Sequence, residues 1–164
     1  SNLPPGGPVL EGWIMKRSKN LHIWRPRWAS IWLTASGLRE RRPSTFQFSP
    51  EVEGYEKPSE TFDLRHIRTI RPVSTEYYGR PFCMVVEYVA SSSLDQISCR
   101  LVGLQLASEE ELRCWMDTLR RATATAMPGC SDKLPFWWPR IKHRTEAVSS
   151  KEEPSVGRPR STTA

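Results

Sequence analysis

Apolar and polar residues alternate from Val9 onward. Leu10, Gly12 and Ile14 take one parity, and Glu11, Trp13 and Met15 the other. That period of two is the signature of a strand. A polar loop at Ser18 to His22 interrupts the pattern. Alternation resumes from Arg25 to Thr34, with Ala29, Ile31 and Leu33 on one face and Trp28, Ser30 and Trp32 on the other. The pair Ser36-Gly37 is a turn signal and predicts a hairpin into a third strand near Leu38. Residues 43–59 read as a long polar loop with a short strand at residues 45–48. Residues 61–70 predict one or two short strands, and residues 81–89 the clearest strand of all. Residues 96–107 predict two more, pivoting near Gly103. About seven short strands with no helix between them predict an antiparallel sandwich or barrel.

One helix follows. Ser108-Glu109-Glu110-Glu111 is a capping box: the serine hydroxyl accepts an amide at the helix start and Glu111 reaches back. Three carboxylates suit the positive end of the helix dipole, and Arg120 and Arg121 the negative end. Leu112, Trp115, Met116 and Leu119 fall at helical spacing and form one narrow apolar stripe. The preceding strands offer the only surface that can bury such a stripe, so the helix is expected to plug one open end of the barrel. The chain therefore divides into a flexible Pro/Gly lead-in at 1–8, a folded domain at 9–126, and a Pro/Ser/basic tail at 127–164. The tail's composition predicts mostly disorder, broken by an aromatic island at 136–141.

Charge sharpens this picture. The 164 residues carry a formal charge of +6. The first 42 hold eight basic and two acidic side chains, so the whole excess lies in that first quarter. A local positive field attracts anionic partners such as phospholipid headgroups, nucleic acid or acidic proteins. Of the four cysteines, Cys83, Cys99 and Cys114 sit inside apolar patterns and are expected to be reduced and buried. No C-x-x-C pair or histidine at metal-ligand spacing accompanies them or Cys130. No signal-peptide pattern opens the sequence, and its longest apolar run is too short to span a bilayer. These features predict a cytoplasmic protein, or one recruited peripherally to a membrane surface from the cytoplasm.

The residues resemble the pleckstrin-homology family. Gly12-Trp13-Ile14-Met15-Lys16 is similar to that family's first strand. Trp24-Arg25-Pro26-Arg27-Trp28, followed by Ile31 and Leu33, is similar to its second. Trp115 stands in the closing helix, where the family almost always has a tryptophan. The resemblance runs from Val9 to Ala124. It implies a mainly β fold, a seven-stranded bent antiparallel barrel capped by one C-terminal α-helix, used for phosphoinositide or protein binding. Many members that bind phosphoinositides carry a basic residue at the end of strand one and Lys/Arg-x-Arg in strand two. Lys16 and Arg25-x-Arg27 stand at those places. Pro26 departs from the pattern; it removes a ladder amide, so strand two is expected either to begin only at Arg27 or to have an irregular edge there, which bears on the aim of Arg25.

Strand parity says more than the motif. Residues two apart share a face. Lys16 therefore continues the Ile14 face, and Arg27 and Arg25 continue the Ala29 face, toward the same loop. Three cations at the mouth call for an anion, because an unpaired buried charge costs several kcal/mol. The expected headgroup-binding set is Lys16, Arg25 and Arg27, extended by Arg17, Lys19 and Arg39. Trp137, Trp138, Arg140 and Lys142 form a candidate membrane-interface anchor, or fold back onto the barrel. Arg41 and Arg42 either extend the patch or form a solvated face. Tyr55, Tyr77 and Tyr78 are candidate phosphorylation sites in loops.

The expected partner is a phosphoinositide or other anionic phospholipid, and the chain is read as a monomer that recruits a signalling or adaptor protein to membrane. The alternative is a peptide-binding domain of the same superfold with no lipid ligand, using the groove between the helix and an edge strand. Acids in neighbouring loops would favour that alternative by neutralising the cations. Nucleic-acid binding has only the basic patch, with Trp28 and Trp32, behind it. The sequence shows no nucleophile elbow, phosphate-cradling glycine loop or zinc motif, so no catalytic residue, cofactor or metal is expected.

Overall fold

The computed structural model describes residues 6–34, 43–92 and 96–126. The expected turn at Ser36-Gly37, the strand near Leu38, Arg39, Arg41 and Arg42, the lead-in before residue 6, Cys130 and the tail with its aromatic island lie outside these residues. Seven strands form one antiparallel sheet in the order β4-β3-β2-β1-β7-β6-β5. They are β1 (Leu10–Arg17), β2 (Trp24–Trp32), β3 (Thr45–Ser49), β4 (Glu60–Asp63), β5 (Ile67–Pro72), β6 (Cys83–Ser92) and β7 (Ile97–Gln105). Helix α2 (Glu109–Ala126) closes the domain and packs on β5, β6 and the 3-10 turn at Leu64–His66.

The expected parity sets the core. Leu10, Ile14, Ala29, Ile31, Phe46 and Phe48 share one buried cluster with residues of β4 to β7, so the sheet curls around a common interior. The α2 stripe of Leu112, Trp115, Met116, Leu119 and Ala122 enters the same cluster. Trp115 is fully buried, its ring 6.2 Å from that of Phe46. The cap forms as its sequence predicts. The Glu111 amide donates to Ser108 Oγ (3.2 Å), and the Ala107 amide donates to the Glu111 carboxylate (3.4 Å).

Four expectations are corrected. A short helix, α1 (Thr75–Tyr78), interrupts the strands, closed by Gly79 in the left-handed region at φ 69°. Residues 97–105 form one continuous strand rather than two. Gly103 is no pivot: a Cβ there would meet the Tyr78 ring at 2.8 Å, so glycine permits the α1 ring to lie on the β7 backbone. Among the described cysteines Cys99 is exposed, Cys114 half-buried and Cys83 buried. Burial pushes the Cys83 thiol up to about 11. Finally, β2 runs unbroken through Pro26, which pairs with Met15. Pro26 precedes the stretch of β2 that pairs with β3, from Trp28 to Trp32, so one of its sides borders no ladder and the missing amide is tolerated.

The second face of β1 and β2 is buried too. Trp28 and Trp32 are almost wholly enclosed. Tyr55, from the β3–β4 connection, packs edge-on against Trp32 at 5.0 Å and donates its hydroxyl to the buried Glu11 carboxylate. Tyr55 thus covers Trp32, while Trp13 meets Trp28 edge-on at 5.5 Å, and neither buried ring offers the open stacking face that a nucleic-acid site would use.

Candidate anion-binding site

The site grows out of the β1–β2 hairpin. In its register Ile14 faces Arg27 and Lys16 faces Arg25. Directly opposed residues of an antiparallel pair share a face. Lys16, Arg25 and Arg27 therefore continue the core-facing rows past the last apolar layer, toward the connection between the strands. Like charges set directly opposite are destabilising unless something of opposite sign lies between them.

The protein supplies part of that opposite charge itself. Glu60, the first residue of β4, takes Lys16 on one carboxylate oxygen (3.2 Å) and Lys19 on the other (3.1 Å). Only 11% of the Lys16 side chain is exposed. Its ammonium also lies 5.5 Å from the centre of the Phe48 ring, and Lys19 lies 5.2 Å from that of Tyr88. Burial works against the charge on Lys19, but the Tyr88 hydroxyl and Glu60 together outweigh it and hold its pKa above the ordinary lysine value. A cavity of about 320 Å³ opens beside this group, with Lys19, Glu60, His66, Tyr88 and Arg100 in its wall.

The two arginines are differently placed. Arg25 is exposed and Arg27 half-buried. Arg27 Nη1 donates to the neighbouring Pro26 carbonyl (2.8 Å). Neither guanidinium meets a carboxylate among the described residues. Arg17 belongs to the opposite parity. Its guanidinium lies 5.1 Å from the Tyr78 ring, which meets Trp24 edge-on at 5.2 Å, and Trp24 in turn carries Arg80 at 4.9 Å. Arg17 thus joins an outer stack of cations and aromatic rings and lies away from the mouth. Of the predicted set, the hairpin brings Lys16, Lys19, Arg25 and Arg27 to one end of the sheet. Arg39, Trp137, Trp138, Arg140 and Lys142 lie outside the described residues.

The loop between β1 and β2 is built rather than slack. The Ser18 amide donates to the Ile23 carbonyl (2.8 Å), and the Ile23 amide returns a bond to Ser18 Oγ (3.0 Å). His22 occupies the left-handed region at φ 54°. This closure presents Leu21 (66% exposed) and Ile23 (44% exposed) to solvent beside the cations. Sequence reasoning passed over these two, although an apolar pair inside a polar, basic loop was a usable signal. It also missed Glu60 and Arg100, for which no local signal exists. The groove named by the alternative reading is partly filled: Arg120 of α2 donates to the Ile70 carbonyl of β5 (2.9 Å). Among the described residues no cluster of side chains fits a metal ion, and no helix is long and apolar enough to cross a membrane.

Comparison with known proteins places this architecture. No curated protein sequence matches the chain. Solved structures do. The PH domain of the human KIAA0053 protein is 21% identical, covers 75% of this chain and 94% of its own, and superposes with a TM-score of 0.52. The Slm1 PH domain, solved in complex with D-myo-inositol-4-phosphate, is 17% identical, covers 74% of this chain and all of its own, with a TM-score of 0.51. The C-terminal PH domain of human pleckstrin is 18% identical, covers 74% and 92%, with a TM-score of 0.50. These likenesses agree with the strand order and the closing helix. The family described as the PH domain matches residues 8–124, most of the chain and every element of the sheet, and the chain therefore belongs to the pleckstrin-homology family.

Proposed function

We propose that the mouth of the hairpin binds the phosphate groups of an anionic lipid headgroup, a phosphoinositide foremost, and so recruits the protein carrying this domain to a membrane surface. Domains of this family are in general non-catalytic binding modules. The observation that carries the reading is the β1–β2 register. It sets Arg25 opposite Lys16 and Arg27 one step inward, with no carboxylate on either arginine among the described residues. Arginine grips phosphate bidentately, whereas lysine acts as a point charge. The exposed Leu21 and Ile23 suit a loop that meets the headgroup and acyl boundary while its cations meet phosphate. The inositol phosphate in the Slm1 domain is of the same ligand chemistry.

Magnitudes keep the reading modest. Hydrogen bonds to charged groups contribute roughly 1.5–3 kcal/mol each. Two arginines give about 3–6 kcal/mol before the losses of association. That corresponds to weak binding by the pocket alone, strengthened by about 1 kcal/mol for each further cation near an anionic leaflet. The test is sedimentation with phosphoinositide-containing vesicles. Arg25→Ala together with Arg27→Ala is expected to abolish co-sedimentation while the circular dichroism stays that of the parent. Equal sedimentation of the two proteins would sink the reading.

A further inference from the structure

The pairing of β7 is incomplete. On the side away from β6 it meets β1 only at Leu104 and Gln105. Among the described residues that side borders no strand from Ile97 to Gly103, and none of their loops donates to or accepts from its backbone there. A strand edge of this kind presents a row of unsatisfied N–H and C=O groups, a template for another extended chain. Natural edges are usually blunted by proline, by brevity or by a covering element. Residues 97–103 contain no proline and stay exposed from Ile97 through Leu101.

Two further features lie along the same edge. Ile97, Cys99 and Leu101 alternate on one face of β7, with Ile97 63% and Leu101 41% exposed. Where β1 ends and its loop turns away, a cleft of about 450 Å³ opens between the two strands. Arg17, Lys19 and His22 wall it on one side, and Arg100, Leu101 and Gly103 on the other. No carboxylate lines the cleft, and neither Arg17 nor Arg100 has a carboxylate partner among the described residues.

We propose that the free edge of β7, from Ile97 to Gly103, is a protein-binding site that takes an extended acidic peptide segment as an added strand. Main-chain pairing supplies the bulk of such affinity, and side chains at alternate positions supply the selectivity. Apolar residues two apart on the segment meet Ile97, Cys99 and Leu101, and its acidic end enters the cleft at Arg17 and Arg100. A second copy of this chain is a poor occupant. An antiparallel β7–β7 pair would bring the Arg100 side chains and the two basic clefts toward each other, and like charges across a pair are destabilising. Lys19 and Arg100 border both this cleft and the anion-binding cavity, but the edge uses neither Arg25 nor Arg27, so the variant lacking those two arginines separates peptide binding from headgroup binding.

The probe is the peptide acetyl-Asp-Glu-Val-Thr-Val-Thr-Val-amide, fluorescently labelled, together with a version N-methylated at alternate amides. The N-methylated peptide keeps every charge and side chain and loses one hydrogen-bonding edge. The parent peptide is expected to bind and to protect backbone amides between residues 97 and 103 from hydrogen exchange. The variant Arg100→Glu with Leu101→Asp, both at exposed positions, is expected to weaken it at least about tenfold, a change of about 1.4 kcal/mol. The variant Arg25→Ala with Arg27→Ala is expected to leave peptide binding unchanged. Equal binding of the two peptides would reduce the contact to charge attraction and overturn the proposal. So would protection mapping to another strand, self-association of the protein along this edge in sedimentation, or protection of the same amides by phosphatidylserine vesicles in place of peptide.

Discussion

Glu60 is the residue on which the behaviour of the mouth turns. It holds Lys16 and Lys19 at 3.2 and 3.1 Å, where under the proposed function a headgroup phosphate would hold them. An incoming phosphate must therefore compete with it, or settle on Arg25 and Arg27 beside it. The substitution Glu60→Gln keeps the shape and removes the charge. Vesicle binding is expected to rise severalfold, since a partly exposed ion pair is worth up to about 1 kcal/mol. Stability is expected to fall, because Lys16 then keeps little of its compensation. A drop in vesicle binding would show that Glu60 aims the lysines rather than competing for them. The lysine end of the pair has its own pH signature. The Lys19 pKa lies above the ordinary lysine value of 10.5: burial opposes the charge, but the Tyr88 hydroxyl and Glu60 outweigh it. Its contribution to stability is fully present below the unfolded value and lost as pH rises through the higher folded value. The stability gap between parent and Glu60→Gln is accordingly expected to narrow in urea titrations above pH 10.5.

Among the elements, α2 bears most on whether the sheet stays closed. Among the described residues its stripe is the apolar helical surface that enters the core, and Trp115 lies in it against Phe46. The change Trp115→Ala is expected to remove about 3–5 kcal/mol, a large part of the roughly 5–15 kcal/mol that holds a domain folded. Ser108→Ala, which removes only the acceptor for the Glu111 amide, is expected to lose about 1 kcal/mol. Urea denaturation distinguishes the two: a Trp115→Ala midpoint no lower than that of Ser108→Ala would mean that the helix does not close the core. The β1–β2 hairpin is the other decisive element. Its continuous pairing from Leu10 and Ile31 to Arg17 and Trp24 carries the core pattern without a break into the site. The aim of the cations is therefore an extension of the packing of Ile14 and Ala29.

At the level of the whole molecule the charge is lopsided, with the entire +6 excess in the first 42 residues and β1, its loop and β2 within that stretch. Vesicle binding is expected to weaken steeply between about 50 and 500 mM salt, as the Debye length falls from above 10 Å toward a few ångströms. Binding insensitive to salt would place the affinity in Leu21 and Ile23 instead. Local pattern was enough to determine β1, β2 and β6 with their inward faces, the capped helix and the parity of Lys16, Arg25 and Arg27, because each depends on neighbours a few residues away, but it missed α1 and split β7 in two. Tertiary structure alone decided the rest. Glu60 reaches the lysines because β3 carries β4 around to them, Tyr55 covers Trp32 because a polar loop folds over an outer face, and β7 keeps a free edge because β1 turns away after Lys16. Each of these joins residues distant in sequence, and the burial and pairing that join them exist only once the sheet has curled around its core.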